Sequence, residues 1–252
     1  MATLLRMQPE RLRNDRLLDE GREIVRRTKL QHVAFIVDGN RRWAQKEGLP
    51  VLAGHRRALE VVMERVEDGV AMGIPVMSFW LFSTENWRRS REQIEGIFGL
   101  GREMKDRVRE TLTRLQVRFE TIGRSDRLPE DLVGIISELK EETRDNTTMT
   151  VVAAIDYGGR DEIMRATNKA IDGGSQLGRE EEYNRLLDTA GFPDPDFVIR
   201  TSGERRTSGF MPWQTAYSEW YFPQTFFTGF GQEELVIALR DFSQRQRRFG
   251  GG

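Results

Sequence analysis

The chain has 252 residues, and 39 lysines and arginines nearly balance 40 aspartates and glutamates, which leaves a formal charge of −1. This length, with 38% hydrophobic residues, suits one large globular domain or two small ones. The charge balance argues against a nucleic-acid-binding surface, and the absence of cysteine excludes disulfides, thiolate metal sites and cysteine nucleophiles. With no long apolar stretch, the sequence predicts a cytoplasmic protein without a membrane span.

Apolar runs alternate with helical patterns along the chain. Residues 1–30 predict a charged helical extension and 31–252 a single domain, within which residues 173–182 predict a mobile surface loop. Apolar or β-branched runs predict five strands, at 33–38, 76–82, 117–123, 150–157 and 196–201. Helical spacing predicts four helices, at 54–73, 91–115, 129–145 and 159–172. Buried strands that alternate with helices favour an α/β fold with a central, mainly parallel sheet surrounded by helices.

Four polar loops follow four of these strands, at 38–40, 82–90, 156–162 and 200–210. In open α/β sheets, ligands bind beyond the carboxyl ends of the strands, so the loops are expected to share one binding edge. They contain arginine, glycine, serine, asparagine and a few carboxylates. Arginine and glycine suit phosphate groups, and a carboxylate suits a hard divalent cation.

Each of these side chains also has an ordinary structural interpretation. Asp38 fits a helix cap, His55 fits the face of a helix, and Arg205 and Arg206 fit a solvated surface. Packing is the usual role of tryptophans such as Trp43, Trp87 and Trp213. The coincidence of polar groups in four loops at one edge favours a binding site over these separate explanations.

Six motifs resemble one known family, the cis-prenyltransferases, to which undecaprenyl diphosphate synthase belongs. They occur in order from about His32 to the C-terminus and leave the first thirty residues outside the resemblance: "HVAFIVDGNRRWA" (32–44), "GH" (54–55), "FSTENWRR" (82–89), "DYGGRDEI" (156–163), "DFVIRTSGERRTSGFMPWQTAYSEWYF" (196–222) and "RQRRFG" (245–250). The resemblance implies a parallel sheet of about six strands with an apolar tunnel for a growing chain. It also implies a homodimer that uses Mg²⁺ to condense isopentenyl diphosphate with an allylic diphosphate into a Z-prenyl diphosphate.

The resemblance also implies roles for individual residues. Asp38 is the essential, magnesium-binding carboxylate, Glu219 a second carboxylate of the metal and interface region, and Asn86 a catalytic residue at the reacting centre with Ser83. Arg248 reaches into the partner's isopentenyl site. The allylic diphosphate is held by Gly39, Asn40, Arg41, Arg42, His55 and Arg89, the isopentenyl diphosphate by Arg200, Arg206 and Ser208, and the remaining substrate contacts are Trp43, Thr84, Glu85 and Trp87.

Some positions depart from the family pattern. Val51 stands where a basic residue is common, and Arg41, which replaces a glycine, is expected to restore that charge. Ser90 replaces a proline, and Gln93, beside Glu92, stands where an acidic residue is expected. Leu81 stands where long-chain members have a small residue, which favours a short, farnesyl-length product over a long undecaprenyl-type lipid carrier precursor. Product release is expected to involve at most a peripheral contact with a membrane.

Two other classes of protein are considered. The run "VAFIVDGN" resembles haloacid-dehalogenase-type phosphohydrolases, but their chemistry needs a second aspartate where this chain has Asn40. A non-catalytic prenyltransferase subunit is expected to lack Asp38 or Arg200, and both are present. The absence of a "DDxxD" motif argues against the all-α trans-prenyltransferases.

Overall fold

A computed structural model describes residues 14–246 and shows one central sheet of six parallel strands. The spatial order is β3-β4-β2-β1-β5-β6. All five strands predicted from the sequence are present, and the sixth is a short edge strand that the pattern alone did not indicate. The bounds are β1 His32–Ile36, β2 Val76–Ser83, β3 Val117–Ile122, β4 Met149–Tyr157, β5 Phe197–Arg200 and β6 Glu219–Tyr221.

Eight α-helices surround the sheet in the described part of the chain. All four predicted helices are present, although the one expected to start at residue 54 begins at Val51. Its end at Gly73, in the left-handed conformation, and the start of α5 directly after Pro129 agree with the sequence signals. The bounds are α1 Asp15–Thr28, α2 Asn40–Lys46, α3 Val51–Met72, α4 Arg91–Leu115, α5 Glu130–Glu142, α6 Gly159–Asp172, α7 Glu180–Asn184 and α8 Gln232–Ser243.

The two faces of the sheet bury different side chains because residues alternate along each strand. On β1, Val33 and Phe35 face the larger core, which includes residues of α1, α3 and α8, whereas Ala34 and Ile36 face the smaller core with Phe210. Phe35 and Phe79 stack with ring centroids 5.0 Å apart at paired register positions of β1 and β2. The sheet is therefore a rigid frame for the loops at its edge.

The first described helix is part of this packing. Leu18, Ile24 and Val25 of α1 are buried in the larger core, and Glu20 pairs with Arg240 of α8. From Asp15 onward, the charged N-terminal segment thus packs into the same core as the following residues. The expected surface loop contains exposed residues 173–179, and α7 begins at Glu180.

Candidate active site

Four neighbouring strands carry the four polar loops. In the order β4-β2-β1-β5, adjacent strands are parallel, so their carboxyl ends meet at one edge. This confirms the predicted fold class and brings the loops after β1 and β5 into direct contact. The Asp38 amide donates to Thr201 Oγ1 at 3.1 Å, and Thr201 Oγ1 donates to the carbonyl oxygen of Asp38 at 2.7 Å.

The Asp38 carboxylate lies between two arginines. Arg200 Nη2 donates to Asp38 Oδ2 at 2.9 Å, and Arg42 Nη2 lies 3.3 Å from Asp38 Oδ1. The Gly39 amide also donates to Oδ1 at 2.7 Å. Burial opposes ionisation, but the bond and the charge of Arg200, with help from Gly39 and Arg42, hold the pKa of Asp38 below its ordinary value. The carboxylate is therefore ionised at neutral pH.

Arg200 connects this carboxylate to the loop after β5. Its Nη1 donates to Ser208 Oγ at 2.7 Å and to the carbonyl of Arg206. Ser208 has φ +51°, a left-handed conformation that costs energy for a residue other than glycine and that turns the loop back over Arg200. Arg200 Nε is buried and has no hydrogen-bond partner among residues 14–246. The guanidinium thus has one N–H donor that the described residues leave unused.

Glycines allow the first loop to approach its neighbours closely. A Cβ on Gly39, which has φ +100°, would lie 2.6 Å from the ring of Phe226. A Cβ on Gly54 would lie 2.1 Å from the carbonyl oxygen of Asn40, so α3 packs directly on the start of α2. This contact places His55 beside the Asp38 loop, which explains why a glycine precedes the histidine.

A second group of cations lines a cavity of about 400 Å³ between α2, α3 and the start of α4. Arg41, Arg89 and His55 line it together with Val51. Burial, then the charges of Arg89 and Arg41, lower the pKa of His55 to about 4, so this imidazole is neutral at pH 7. Burial and the charge of Arg41 also lower the pKa of Arg89. Arg41 and Arg89 repel each other, and with the neutral His55 they form a site that an anion would stabilise.

The loop after β2 is held by its own side chains. The Ser83 amide donates to Asn86 Oδ1 at 3.1 Å, and Ser83 caps the 3₁₀ turn Thr84–Arg88. Trp87 Nε1 donates to Asp156 Oδ1 at 2.8 Å, and Asp156 also binds Arg127. The Trp87 indole therefore links two loops of the site.

The remaining predicted substrate contacts lie nearby in different environments. Thr84 packs on the glycine that follows β4, Glu85 is exposed, and Trp43 is half-buried on α2.

An apolar cavity of about 200 Å³ leads away from this edge, between the larger-core face of the sheet and α3, α4 and α5. Asn40 and His55 line its polar end, and Leu81 is part of its wall. Beyond Leu81 the lining is almost entirely aliphatic and aromatic, which agrees with the predicted apolar tunnel. A polar edge that opens into an apolar cavity suits a ligand with an anionic head and a hydrocarbon tail.

One residue implied by the resemblance lies away from Asp38, and another lies outside the described residues. Glu219 is in register with Phe197, three residues before Arg200, and its Oε2 accepts a bond from Arg245 Nη1 at 2.8 Å. It therefore lies toward the amino end of the strands, on the order of 10 Å from the Arg200 level at 3.3 Å per residue. Arg248 is outside the described residues, so the structure does not place it.

The donor set around Asp38 fits a cation that shares its ligands with a substrate. No cluster of three or more histidine, aspartate or glutamate side chains suited to a metal occurs within residues 14–246. Mg²⁺ commonly uses only one or two carboxylates together with phosphate oxygens, and the single carboxylate of Asp38 matches that pattern. The chain alone does not form an all-protein metal cage here.

Several residues contact the site although sequence reasoning did not single them out. Arg42 Nη2 donates to Ser202 Oγ at 2.7 Å, and Arg42 Nη1 lies 3.0 Å from Glu204. The Arg42 guanidinium also lies over the ring of Phe226, 5.7 Å from its centroid. Ser202 and Glu204 belong to the "RTSGE" run, whose polar composition was the available signal. Phe226 follows β6, and no sequence signal marked it as a site residue.

Comparison with known proteins identifies relatives over most of the chain. A family model described as "Putative undecaprenyl diphosphate synthase" matches residues 36–250. The isoprenyl transferase of Aquifex pyrophilus is 43% identical over 220 residues, covering 87% of this chain and 95% of that protein. The isoprenyl transferase of Thermotoga maritima is 42% identical over 225 residues, covering 88% of this chain and 97% of that protein.

Solved structures show the same architecture. Lavandulyl diphosphate synthase from Lavandula x intermedia, crystallised with dimethylallyl diphosphate, superposes with a TM-score of 0.85 at 32% identity, covering 90% of this chain and 99% of that one. A probable undecaprenyl diphosphate synthase from Campylobacter jejuni gives a TM-score of 0.75 at 31% identity, with coverage of 88% and 98%. Within residues 14–246, no helix combines the length and apolar character needed to cross a membrane.

Proposed function

This chain belongs to the undecaprenyl diphosphate synthase family of cis-prenyltransferases and is a prenyl-transferring enzyme, and from that premise we propose that it condenses isopentenyl diphosphate with an allylic diphosphate, with Mg²⁺, to give a short Z-prenyl diphosphate. The observation that carries this proposal is that a cationic sheet edge opens directly into an apolar cavity. Arginines surround Asp38 at the sheet edge, and the apolar cavity starts beside them at Asn40 and His55. Family membership removes the phosphohydrolase alternative.

The two groups of cations suggest where each diphosphate binds. The cavity lined by Arg41, His55 and Arg89 adjoins the apolar cavity through His55, so it suits the allylic diphosphate whose tail must enter that cavity. The Arg200–Ser208 group adjoins Asp38 from the other side and suits isopentenyl diphosphate. The complex of lavandulyl diphosphate synthase with dimethylallyl diphosphate supports an allylic ligand for this fold. Arg42 extends the group that suits the allylic diphosphate, and Arg206 extends the group that suits isopentenyl diphosphate.

The proposed reaction determines what these residues must do. Breaking the allylic C–O bond places positive charge on carbon and negative charge on the departing diphosphate, so preorganised cations around the diphosphate stabilise the transition state. Mg²⁺ held by Asp38 would add positive charge to the diphosphate oxygens. Arg41 and Arg89 bind and orient the same group. The double bond of isopentenyl diphosphate then attacks the allylic carbon.

One proton must leave after the new carbon–carbon bond forms. His55 is neutral at pH 7 and has a ring nitrogen that can accept a proton, but it is a weak base because burial and its cationic neighbours lower its pKa to about 4. Asn86 is held by the Ser83 turn and can orient a substrate oxygen, and the released diphosphate is an alternative base. His55 and the released diphosphate are thus the two candidate proton acceptors at the reacting centre.

Product length is a separate part of the proposal. Leu81 lines the apolar cavity near the reacting end, and a packed interior does not readily absorb its extra volume relative to alanine. We therefore favour a product of about fifteen to twenty carbons, on the packing argument alone. A long-chain product of the undecaprenyl type is the alternative, because the cavity continues beyond Leu81.

Assembly and location complete the proposal. A homodimer is favoured because two-fold dimers are the commonest assembly and because "SEWYF" (218–222) and "RQRRFG" (245–250) resemble the segments that meet across the family's interface. In such a dimer, Arg248 would approach the isopentenyl site of the partner. The expected setting is the cytoplasm, in isoprenoid biosynthesis.

The decisive experiment is an assay of the purified chain alone. Mg²⁺, labelled isopentenyl diphosphate and either dimethylallyl or geranyl diphosphate are supplied, and the products are identified by mass. We expect allylic-primed, magnesium-dependent elongation. Failure to incorporate label with any allylic primer would overturn the proposal, and in that case a requirement for a second subunit would be tested by adding candidate partners.

A further inference from the structure

Glu204 connects the two groups of cations that the proposed function assigns to the two diphosphates. Its Oε1 lies 3.0 Å from Arg42 Nη1, and its Oε2 accepts a hydrogen bond from Arg206 Nη1. Arg42 extends the group proposed for the allylic diphosphate, and Arg206 extends the group proposed for isopentenyl diphosphate. A single carboxylate therefore bridges both groups.

The turn that carries Glu204 is held to the segment after β6. The Ser202 amide donates to the carbonyl of Thr225, and the Gly203 amide donates to that of Pro223, each at 2.8 Å. These two backbone hydrogen bonds fix the chain directly before Glu204. Its carboxylate can therefore leave the arginines most easily by rotation about its own side-chain bonds.

A diphosphate and the Glu204 carboxylate compete for the same N–H donors. Nη2 of Arg42 already has two oxygen neighbours, Ser202 Oγ at 2.7 Å and Asp38 Oδ1 at 3.3 Å, so a phosphate oxygen competes with Glu204 for Nη1. Because one carboxylate holds both arginines, a rotation that takes it away from Arg42 also takes it away from Arg206. A diphosphate that binds in either group thus breaks both ion pairs, and the second diphosphate does not have to break them again.

We infer that Glu204 is a positioning residue that couples the binding of the two diphosphates: the first ligand displaces the carboxylate, and the second then binds more tightly. This inference rests on the proposed function and adds a link between its two sites. The coupling is reciprocal, so each diphosphate favours the other by the same factor. Because 27% of the Glu204 side chain and 43% of that of Arg42 are exposed, the factor is expected to be about five, at the lower end of couplings between sites.

Calorimetry tests this coupling without turnover. A non-reactive thiolodiphosphate analogue of geranyl diphosphate and isopentenyl diphosphate are each titrated, with Mg²⁺, into the purified chain alone and into the chain saturated with the other ligand. The ratio of the two dissociation constants of one ligand is the coupling factor, and it is measured for the wild type and for Glu204→Gln. Glu92→Gln is the matched control, because Glu92 also lines the cationic cavity but pairs with neither Arg42 nor Arg206 within residues 14–246.

The two diphosphates also repel each other, so the change in the coupling factor between proteins isolates the contribution of Glu204. The factor should fall about fivefold in Glu204→Gln and stay unchanged in Glu92→Gln, while each ligand alone binds Glu204→Gln more tightly than the wild type. An unchanged factor in Glu204→Gln would overturn the inference and leave the proposed function intact. Absence of binding by either ligand, together with no turnover by the wild type, would overturn both.

Glu204→Asp separates the bridge from the charge. Its carboxylate keeps the negative charge but lies about 1.5 Å closer to the fixed backbone, so it can hold one arginine and not both. The coupling factor should fall as it does in Glu204→Gln, and circular dichroism checks that both variants keep the fold. A wild-type coupling factor in Glu204→Asp would contradict the bridge.

Discussion

Arg200 and Asp38 form an ion pair across the carboxyl ends of β5 and β1, with Arg200 Nη2 2.9 Å from Asp38 Oδ2. Because the carboxylate already has an arginine partner on each oxygen, a divalent cation must compete with these contacts. Within residues 14–246, no group of three or more histidine, aspartate or glutamate side chains forms a metal site at Asp38. The site thus depends on its substrate for further metal ligands.

We expect Mg²⁺ to bind the free protein weakly and to bind much more tightly when a non-reactive allylic diphosphate analogue is present, since phosphate oxygens then complete its coordination. Calorimetric titration with and without the analogue measures the difference. Asp38→Asn should lose the enhancement and turnover while keeping the fold, as circular dichroism would show. Equal magnesium affinity of Asp38→Asn and wild type in the presence of the analogue would contradict the placement of the metal.

Arg41 is expected to supply the charge that Val51 does not, because both side chains line the cavity that contains Arg89 and His55. Arg41→Gly should raise the Michaelis constant for the allylic diphosphate and leave that for isopentenyl diphosphate nearly unchanged. A lost charge-assisted contact of about 1.5–3 kcal/mol corresponds to roughly ten- to a hundredfold. Steady-state kinetics with each substrate varied in turn give the comparison.

The double variant Arg41→Gly/Val51→Arg is the matched control for this prediction. If the two positions face one diphosphate, an arginine at 51 should restore most of the lost affinity. A double variant no better than Arg41→Gly alone would show that the two positions do not serve the same group.

The sequence predicted the parallel sheet and the shared edge because long, nearly continuous apolar strands alternated with helices, and topology then determined where the loops met. It did not indicate β6, since three residues are too few to show a pattern and their pairing comes from β5. The hydrogen bond from the Trp87 indole to Asp156 joins residues 69 positions apart, a contact that no local pattern contains. The placement of Glu219 away from Asp38 likewise depends on register.

His32 predicts a loss of stability in acid. It is buried at the start of β1, where Nδ1 donates to the carbonyl of Pro193 and Nε2 accepts from Ser78 Oγ, each at 2.7 Å. Burial lowers the pKa of His32 to about 4, against about 6.5 for an unfolded chain. Between these values the unfolded state binds the proton and the folded state does not, so stability is complete above pH 6.5 and falls as the pH drops toward 4.

The size of this contribution is about 3 kcal/mol, from roughly 1.4 kcal/mol per pKa unit. Urea unfolding at several pH values measures it, and His32→Gln should have a smaller slope between pH 6.5 and 4, even if the variant is less stable at pH 7. An imidazole titration near pH 6.5 in the folded protein, followed by NMR, would refute the assignment.

Leu81 provides the test of product length. Its side chain lines the apolar cavity and packs against the larger core, so Leu81→Ala removes three carbons from the wall at some cost in stability. We expect the wild type to stop at about fifteen to twenty carbons and Leu81→Ala to shift toward longer chains, because the tail would then pass the widened position. Leu81→Met is the control, since it conserves the side-chain volume and should leave the distribution of product lengths unchanged.

The products of the three proteins are separated by thin-layer chromatography and identified by mass. A wild-type product of undecaprenyl length would show that the tail already passes Leu81, whereas a short product unchanged in Leu81→Ala would place the restriction elsewhere along the cavity.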